Sequence, residues 1–402
     1  MSDSRLFDVC VVGAGLIGLA VANAITESFT GISILVLDKE EHVAAHQSSH
    51  NSGVVHSGLY YKPGSLKARL SVEGREAIYR LCSEAGIPFE RSGKLVIATH
   101  QAEIGTLDEL ERRGRANGLS GLRRISSDEI PQFEPEAVGL EALHIPEAGV
   151  ADFPSVAEHI ARVLNQAGAT IMLDQEVSGI AQSGDVVTIT TSTDQFRARV
   201  FVNCAGLHSD QVATLAGVEA NVRIVPFRGE YYRLSERSAG LVKSLIYPVP
   251  DPRFPFLGVH FTRRIDGSVE VGPNAVLSLG REHYRNTKPD WNEVREILGH
   301  RGFRRLAMKH WRSGAKELVN SRSTKRYASL ARRLVPALRS EDLVKGGVGV
   351  RAQAVGNDGV LVDDFVIERA GSTIHVLNAP SPGATASIAI GRYVATRASE
   401  LI

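Results

Sequence analysis

Only 3 cysteines, 3 methionines and 2 tryptophans occur in the 402 residues, aromatic residues make up 6%, and the formal net charge is +1. Cys10, Cys82 and Cys204 are an odd number at no metal-ligand spacing, which excludes a disulfide framework and a cysteine-based metal site. Two of them, Cys10 and Cys204, lie inside apolar runs that read as strands, so a reducing, cytoplasmic setting is expected. The near-zero net charge excludes a general attraction for nucleic acid, so any basic function must be local. No uninterrupted apolar run reaches roughly 18 residues, so no membrane span is predicted. The most apolar stretch, Val9 to Ile25, contains three glycines and follows directly on Asp8, where a secretory signal would need a basic segment. Against these absences stand 43% hydrophobic and 23% charged residues, the balance of a folded globular chain. At a soft prior of roughly 150 residues per domain, two or three domains are expected. There is no internal repeat and no low-complexity segment.

Phe7 to Val12 is an apolar run rich in valine, the pattern of a strand buried on both faces. Gly13, Gly15 and Gly18 follow with GxGxxG spacing, then a helical pattern in Leu19, Ala20, Ala22 and Ile25, then a second strand from Ile32 to Leu37 ending in Asp38. In this order the three glycines have separate roles. One makes the tight turn, one lets backbone approach a pyrophosphate, and one lets helix and strand pack closely. The helix N-terminus favours phosphate charge, and Asp38 is placed to accept hydrogen bonds from a ribose. An ordinary βαβ unit whose glycines only make a turn is the competing reading. The motif alone does not separate FAD from NAD.

His46 to Gly58 reads HQSSHNSGVVHSG, too polar for core yet directly after the ribose-binding strand. Its small side chains, Ser48, Ser49, Asn51 and Ser52, can wrap a pyrophosphate and ribityl chain. The alternative is a polar surface loop. A further buried strand from Phe201 breaks at Ala205 and Gly206, another close-approach turn. Near the C-terminus a strand from Thr373 to Leu377 leads into NAPSPGATAS and a small-residue helix, Ile388 to Ala398. A helix start bearing Pro382, Gly383 and Thr385 can aim N–H groups at the anionic edge of a reduced flavin; plain N-capping is the alternative.

With these four features in this order, the chain resembles the D-amino-acid-oxidase-like FAD superfamily end to end. Within it, the strings HNSGVVHSGLYY, VPFRGEYY, YPVPDP, FLGVHFTR, VGPNAVL and GVRAQA are similar to those of the L-2-hydroxyglutarate dehydrogenase (oxidase) family. The resemblance implies an α/β fold, with a Rossmann-like FAD-binding domain interleaved with an α+β substrate domain built on an antiparallel sheet. It also implies oxidation of L-2-hydroxyglutarate to 2-oxoglutarate, with electrons passing to membrane quinone in bacterial relatives. The expected cofactor set is Gly13, Gly15, Ile17, Gly18, Asp38, Lys39, Ser48, Ser49, Asn51, Ser52, Gly53, Val177, Ala205, Gly206, Pro382, Gly383, Ala384 and Thr385. The last cysteine is Cys204, well before the C-terminal motif, so non-covalent FAD is expected.

The cofactor domain is expected to comprise residues 1–85, 150–222 and 341–402, and the substrate domain 86–149 and 223–340. Ser155 to Gly168 reads as an amphipathic helix, and Ile171 to Leu173, Val186 to Thr191 and Arg199 to Asn203 as strands. Alternation in Arg228 to Leu234, Phe256 to Arg263 and Ser268 to Gly272 reads as antiparallel sheet, punctuated by Pro226, Pro248, Pro250, Pro252 and Pro255. Residues 295–339 hold 13 Lys and Arg against 2 Asp and Glu, interleaved with Leu298, Phe303, Leu306, Met308 and Trp311, with Trp291 just before. A basic helical face of this kind suits anionic lipid, and hence an enzyme peripheral to the inner face of the plasma membrane that reduces quinone. A solvated charged face folded onto the substrate domain is the alternative. Nucleic-acid binding is not expected, since no recognised motif accompanies the charge.

Oxidising a 2-hydroxy acid on flavin requires a base for the hydroxyl proton and cations for carboxylates. His56 lies in the loop expected to pass the flavin, and an imidazole titrates near neutrality. A structural histidine capping the Ser57–Gly58 turn is the competing reading. His260 is the rival base or a substrate donor, on the strand face opposite Val259 and Phe261. Arg351 is the candidate carboxylate clamp, because a guanidinium holds a carboxylate through two parallel hydrogen bonds; a surface arginine is the alternative. For the second carboxylate, Lys67, Arg69, Arg228 and Arg263 are candidates, with Tyr60, Tyr61 and Tyr247 as neutral donors. No metal ligands are expected. Two other functions stay open on sequence alone: an FAD-dependent amine or amino-acid oxidase of the same superfamily, and a non-catalytic peripheral binding module.

Overall fold

The computed structural model describes residues 5–251, 258–284, 288–321 and 323–402, the side chains of 312–321 excepted. Pro252, Pro255 and the first two residues of the expected strand Phe256–Arg263 lie outside the described residues.

Two large sheets organise the chain. The first is built on parallel strands, Leu6–Val12 between Ile34–Leu37 and Gln195–Asn203, with Thr170–Met172 beyond the former and Thr373–Asn378 beyond the latter. Its central strands are apolar over Val9–Val12, Ile34–Leu37 and Val200–Val202, where both faces are covered. Leu16–Ser28 packs with Gly383–Ala398 and Phe153–Gln166 through a core that includes Leu19, Ile25, Ile160, Ile390 and Val394. On the opposite face Cys10, Leu35, Leu37 and Phe201 join Val187 and Ile189. Side chains of this size stabilise by roughly 1.5–3 kcal/mol each on full burial.

The second sheet is mostly antiparallel and runs Val276–Leu277, Val222–Leu234, Val269–Gly272, His260–Arg263, Leu245–Pro248, Lys94–Ala98, Glu141–Ile145, Arg123–Ser126. The strand Leu343–Gly356 pairs along Val222–Leu234, with Arg351 opposite Phe227. It therefore belongs to the second sheet although it lies within the segment 341–402. A short sheet of Val54–Val55, Gly149–Ala151 and Phe89–Glu90 lies between the two in sequence and carries the chain into the His56 loop.

Helices Trp291–Gly299 and Arg301–Ser321 dock on the second sheet through Ile297, Phe303 and Leu306 against Val225 and Val355. The apolar residues expected to interleave with basic ones thus divide. Phe303 and Leu306 are core, while Trp291, Leu298, Met308 and Trp311 are 73%, 53%, 71% and 63% exposed. Among the described residues no helix is long and apolar enough to cross a membrane.

Candidate active site

The first strand ends at Val12, and the chain turns at Gly13 with φ +107°, a left-handed value open to glycine. A Cβ on Gly18 would stand 1.8 Å from the Gly13 carbonyl oxygen, so no side chain fits where the helix crosses the turn. Asp38, at the end of the second strand, accepts from Ala14 N–H at 2.6 Å and from Glu40 N–H at 3.0 Å. Ser48 Oγ accepts from Leu16 N–H at 2.9 Å, which brings the His46–Gly58 loop onto the helix start. The first-turn N–H groups of a helix lack intrahelical acceptors, and the helix start at Leu16 opens on the same space.

That space is a cleft of about 1310 Å³, larger than the several hundred Å³ of a drug-sized site. At one end it is lined by Gly13, Gly15, Ile17, Asp38, Lys39, Ser48, Asn51, Ser52, Val177, Ala205 and Gly206. Farther along come Pro382, Gly383, Ala384 and Thr385, the start of the C-terminal helix. Gly18, Ser49 and Gly53 do not line it: Gly18 packs under the turn, and Gly53 N–H and Ser49 N–H are bound within the loop, to Asn51 Oδ1 and His46 O. The amide of Asn51 is likewise engaged with Gln47 O and Ser48 O, so it shapes the loop. Lys39 joins an ion cluster in which its Nζ meets Glu282 at 2.7 Å and also pairs with Glu40. His46 and His208 complete this cluster, on Glu40 and Glu282 respectively.

At the other end His56, Tyr60, Tyr61, Lys67, Tyr231, His260 and Arg351 line the cleft. The two histidines differ in how they are held. His56 donates its backbone N–H to Thr385 Oγ1 at 3.0 Å, and its Nε2 lies 3.4 Å from Ser381 Oγ. His260 donates from Nδ1 to Gly258 O at 2.8 Å, which fixes the tautomer and leaves Nε2 as an acceptor. Burial pushes the His260 imidazole down to about 3, with Lys94 and Arg351 adding to it against the Gly258 hydrogen bond. Burial, then the charges of Lys94, His260, Lys67 and Arg351, hold His56 well below its usual value. Both rings are neutral at pH 7.

Arg351 is hydrogen-bonded to Tyr231, whose hydroxyl burial pushes up. Its strand passes close to the polar loop, because a Cβ on Gly349 would lie 2.8 Å from His50 O. The structure does not bring the remaining candidates to the cleft. Arg69 is exposed, its guanidinium 5.7 Å from the Tyr393 ring. Arg263 donates to Val242 O at 3.4 Å. Arg228 donates to His283 O at 3.0 Å. Tyr247 stands behind His260, stacked on it at 4.0 Å. Lys67 reaches the cleft, yet its Nζ is held by Asp363 Oδ1 at 2.8 Å and Asp363 O at 2.9 Å.

One residue that sequence reading missed is Lys94, a buried lysine opening the apolar strand Lys94–Ala98. Its only signal is a charge beginning a run, KLVIA, that is otherwise fully apolar.

The dinucleotide turn, the excluded Cβ at Gly18 and the polar cleft running on to a cluster of neutral imidazoles and cations fit FAD and a small anionic substrate. This is the architecture of a flavin-dependent oxidoreductase. A family model described as FAD dependent oxidoreductase matches residues 8–397. In overall fold the chain is similar to an L-α-glycerophosphate oxidase from Mycoplasma pneumoniae with FAD bound, at TM-score 0.78 and 22% identity, covering 99% of this chain and 94% of the other. A glycine oxidase from Geobacillus kaustophilus aligns at TM-score 0.72 and 18% identity, covering 99% and 96%. Much nearer in sequence is an L-2-hydroxyglutarate dehydrogenase of Indibacter alkaliphilus, 46% identical over 96% of this chain and 98% of the relative. The mitochondrial L-2-hydroxyglutarate dehydrogenase of Homo sapiens is 41% identical over 98% and 89%, and that of Escherichia coli K12 is 39% identical over 99% and 94%. The chain belongs to the L-2-hydroxyglutarate dehydrogenase family of FAD-dependent oxidoreductases.

Proposed function

We propose that the protein oxidises L-2-hydroxyglutarate to 2-oxoglutarate using non-covalently bound FAD. One observation carries this: a single cleft joins the dinucleotide turn to Arg351 and two neutral imidazoles, in a chain whose relatives bear that activity in their names. Bound FAD supplies a two-electron acceptor for the hydrogen leaving C2 of the substrate. The chain does the rest. Gly13, Gly15, Asp38 and Ser48 would hold the nucleotide end, and the N–H groups of Ala384 and Thr385, at the helix start Pro382–Thr385, would be the donors offered to the ring system, Gly383 N–H being bound to Pro380 O. Arg351 clamps the carboxylate beside the reacting carbon through charge-assisted hydrogen bonds.

His56 takes the hydroxyl proton at Nε2, since its backbone is pinned to the C-terminal helix start and its ring is neutral. A second reading gives this proton to His260, and the fixed Nδ1–H donation to Gly258 O, which frees Nε2, favours it. Cys204 lines the cleft but burial pushes its thiol up to about 12, so it stays protonated and a poor nucleophile toward the cofactor.

From sheet membership we assign residues 1–85, 150–221 and 357–402 to the cofactor unit, and 86–149 and 222–356 to the substrate unit. Exposed Trp291 and Leu298 beside exposed Met308 and Trp311 on the basic helix Arg301–Ser321 support docking on an anionic membrane face, where a quinone takes the electrons. Vesicle co-sedimentation with and without anionic lipid tests this, and equal binding of a Trp291→Glu variant overturns it.

The activity is tested by anaerobic mixing with L-2-hydroxyglutarate and, separately, its D enantiomer while the visible absorbance of oxidised flavin is followed. Bleaching by the L form alone supports the reading. A yellow protein bleached by neither hydroxy acid but by an amino acid replaces it with the amine-oxidising function.

A further inference from the structure

The proposed substrate carries two carboxylates, and Arg351 accounts for one. The other cations named from sequence are engaged: Lys67 by Asp363, Arg228 by His283 O, Arg263 by Val242 O, and Arg69 lies outside the cleft. Lys94 is different. It is 3% exposed, and its Nζ lies 3.4 Å from the centroid of the Tyr247 ring and 4.5 Å from that of Tyr60. Among the described residues its ammonium faces these two rings and no carboxylate. Burial holds the Lys94 amine well below its usual value, and a carboxylate brought beside it favours its charged form.

Lys94 Nζ and the His260 imidazole both pack on the Tyr247 ring, at 3.4 Å and 4.0 Å from its centroid, so the amine is one ring removed from the His260 imidazole. Lys94 does not itself line the cleft but lies behind Tyr60, whose ring lines it and whose Oη is buried with no hydrogen-bond partner among the described residues. A carboxylate oxygen is an acceptor for both groups.

We propose that Lys94, with the Tyr60 hydroxyl, receives the distal carboxylate of the substrate and selects a dicarboxylate over a 2-hydroxy monocarboxylate. This rests on the substrate reading above.

The test compares L-2-hydroxyglutarate with L-2-hydroxyvalerate, the same five-carbon chain ending in methyl, in the wild-type flavoprotein and in Lys94→Met. The variant is expected to lower the ratio of kcat/KM for the diacid to that for the monoacid by ~10²-fold, as for truncation of one partner of a buried charge pair, since any change at the neighbouring histidines acts on both substrates alike. Calorimetric titration with glutarate, a diacid that cannot react, should show binding to wild type and its loss in the variant. Tyr60→Phe should weaken glutarate by roughly 10- to 100-fold, the value of one hydrogen bond to a charged acceptor. Removing an unpaired buried charge should leave Tm unchanged or higher, and Lys94→Gln provides a second replacement should the methionine variant not purify. Equal losses for both substrates, or unchanged glutarate binding, overturn the proposal. If wild type binds glutarate through Lys94 yet L-2-hydroxyglutarate does not bleach the flavin, the substrate reading has failed and the dicarboxylate site stands.

Discussion

Thr385 Oγ1 accepts the backbone N–H of His56 at 3.0 Å and donates to Val54 O at 3.3 Å, joining two segments 329 residues apart in the chain. Thr385 is fully buried. Thr385→Val keeps the shape but leaves the His56 N–H and Val54 carbonyl without it, and we expect a loss of about 1–3 kcal/mol in stability. The cost should show as a lower denaturant midpoint and weaker flavin retention on dilution. An unchanged midpoint would mean that water replaces the hydroxyl.

Arg351→Ala should lower kcat/KM by roughly 10² or more while the protein remains yellow, because a charged clamp is lost and the nucleotide end is untouched. Arg351→Lys should recover only part, since an ammonium cannot make two parallel hydrogen bonds. Full activity in the alanine variant would remove Arg351 from the site.

The two histidines are separated by single-turnover kinetics. His56→Ala should slow flavin reduction far more than it weakens binding of the reaction product. If reduction proceeds at the native rate in His56→Ala and collapses in His260→Ala, the proton goes to His260, whose Nε2 is already the free acceptor.

Acid should destabilise the fold above the range in which carboxylates titrate. His260 is pushed down to about 3 and His375 to about 4, each chiefly by burial, and His56 is also held low. Asn203 Nδ2 donates to His375 Nδ1, so the neutral ring carries its proton on Nε2, toward Thr373 Oγ1. The unfolded chain protonates these rings near pH 6.5 and the folded one does not, so their contribution is fully present above about 6.5 and is lost as pH falls toward 4 and then 3. Each such ring adds a slope of roughly 1.4 kcal/mol per pH unit in that window. Tm should therefore fall between pH 6.5 and 5, and a flat profile there would contradict the neutral burial of these rings.

Gly18→Ala should yield colourless protein of reduced stability, because the added methyl meets the Gly13 carbonyl rather than a side chain that can move. Acid precipitation of the native protein should release its flavin into the supernatant, and yellow colour retained in the pellet would show a covalent link.

The nucleotide end was legible because its information is local. Gly13, Gly15, Gly18 and Asp38 act through spacing within one βαβ unit, and the structure places them at one end of the cleft, Gly18 beneath it. The substrate end depends on pairs far apart in sequence, such as Lys67 with Asp363 and Lys94 with Tyr247. Neither pair has a local signature. Two of the displaced candidates were nonetheless readable. Lys67 and Arg69 stand two apart on the helix Leu66–Ala85, so they cannot share a face. Arg263 stands three beyond His260 on one strand, so the alternation that aims His260 at the cleft turns Arg263 away. The strand Leu343–Gly356 sits in the second sheet because its register with Val222–Leu234 is set by tertiary pairing. Nothing in its own sequence states its partner.

The strand Thr373–Asn378 completes the first sheet beside Phe201–Asn203, and the helix Gly383–Ala398 then closes over Leu16–Ser28. During synthesis the glycine turn emerges long before Thr385, the residue that pins the His56 loop 329 positions later. A half-site whose two walls lie so far apart in the chain can close only after Thr385 has left the ribosome.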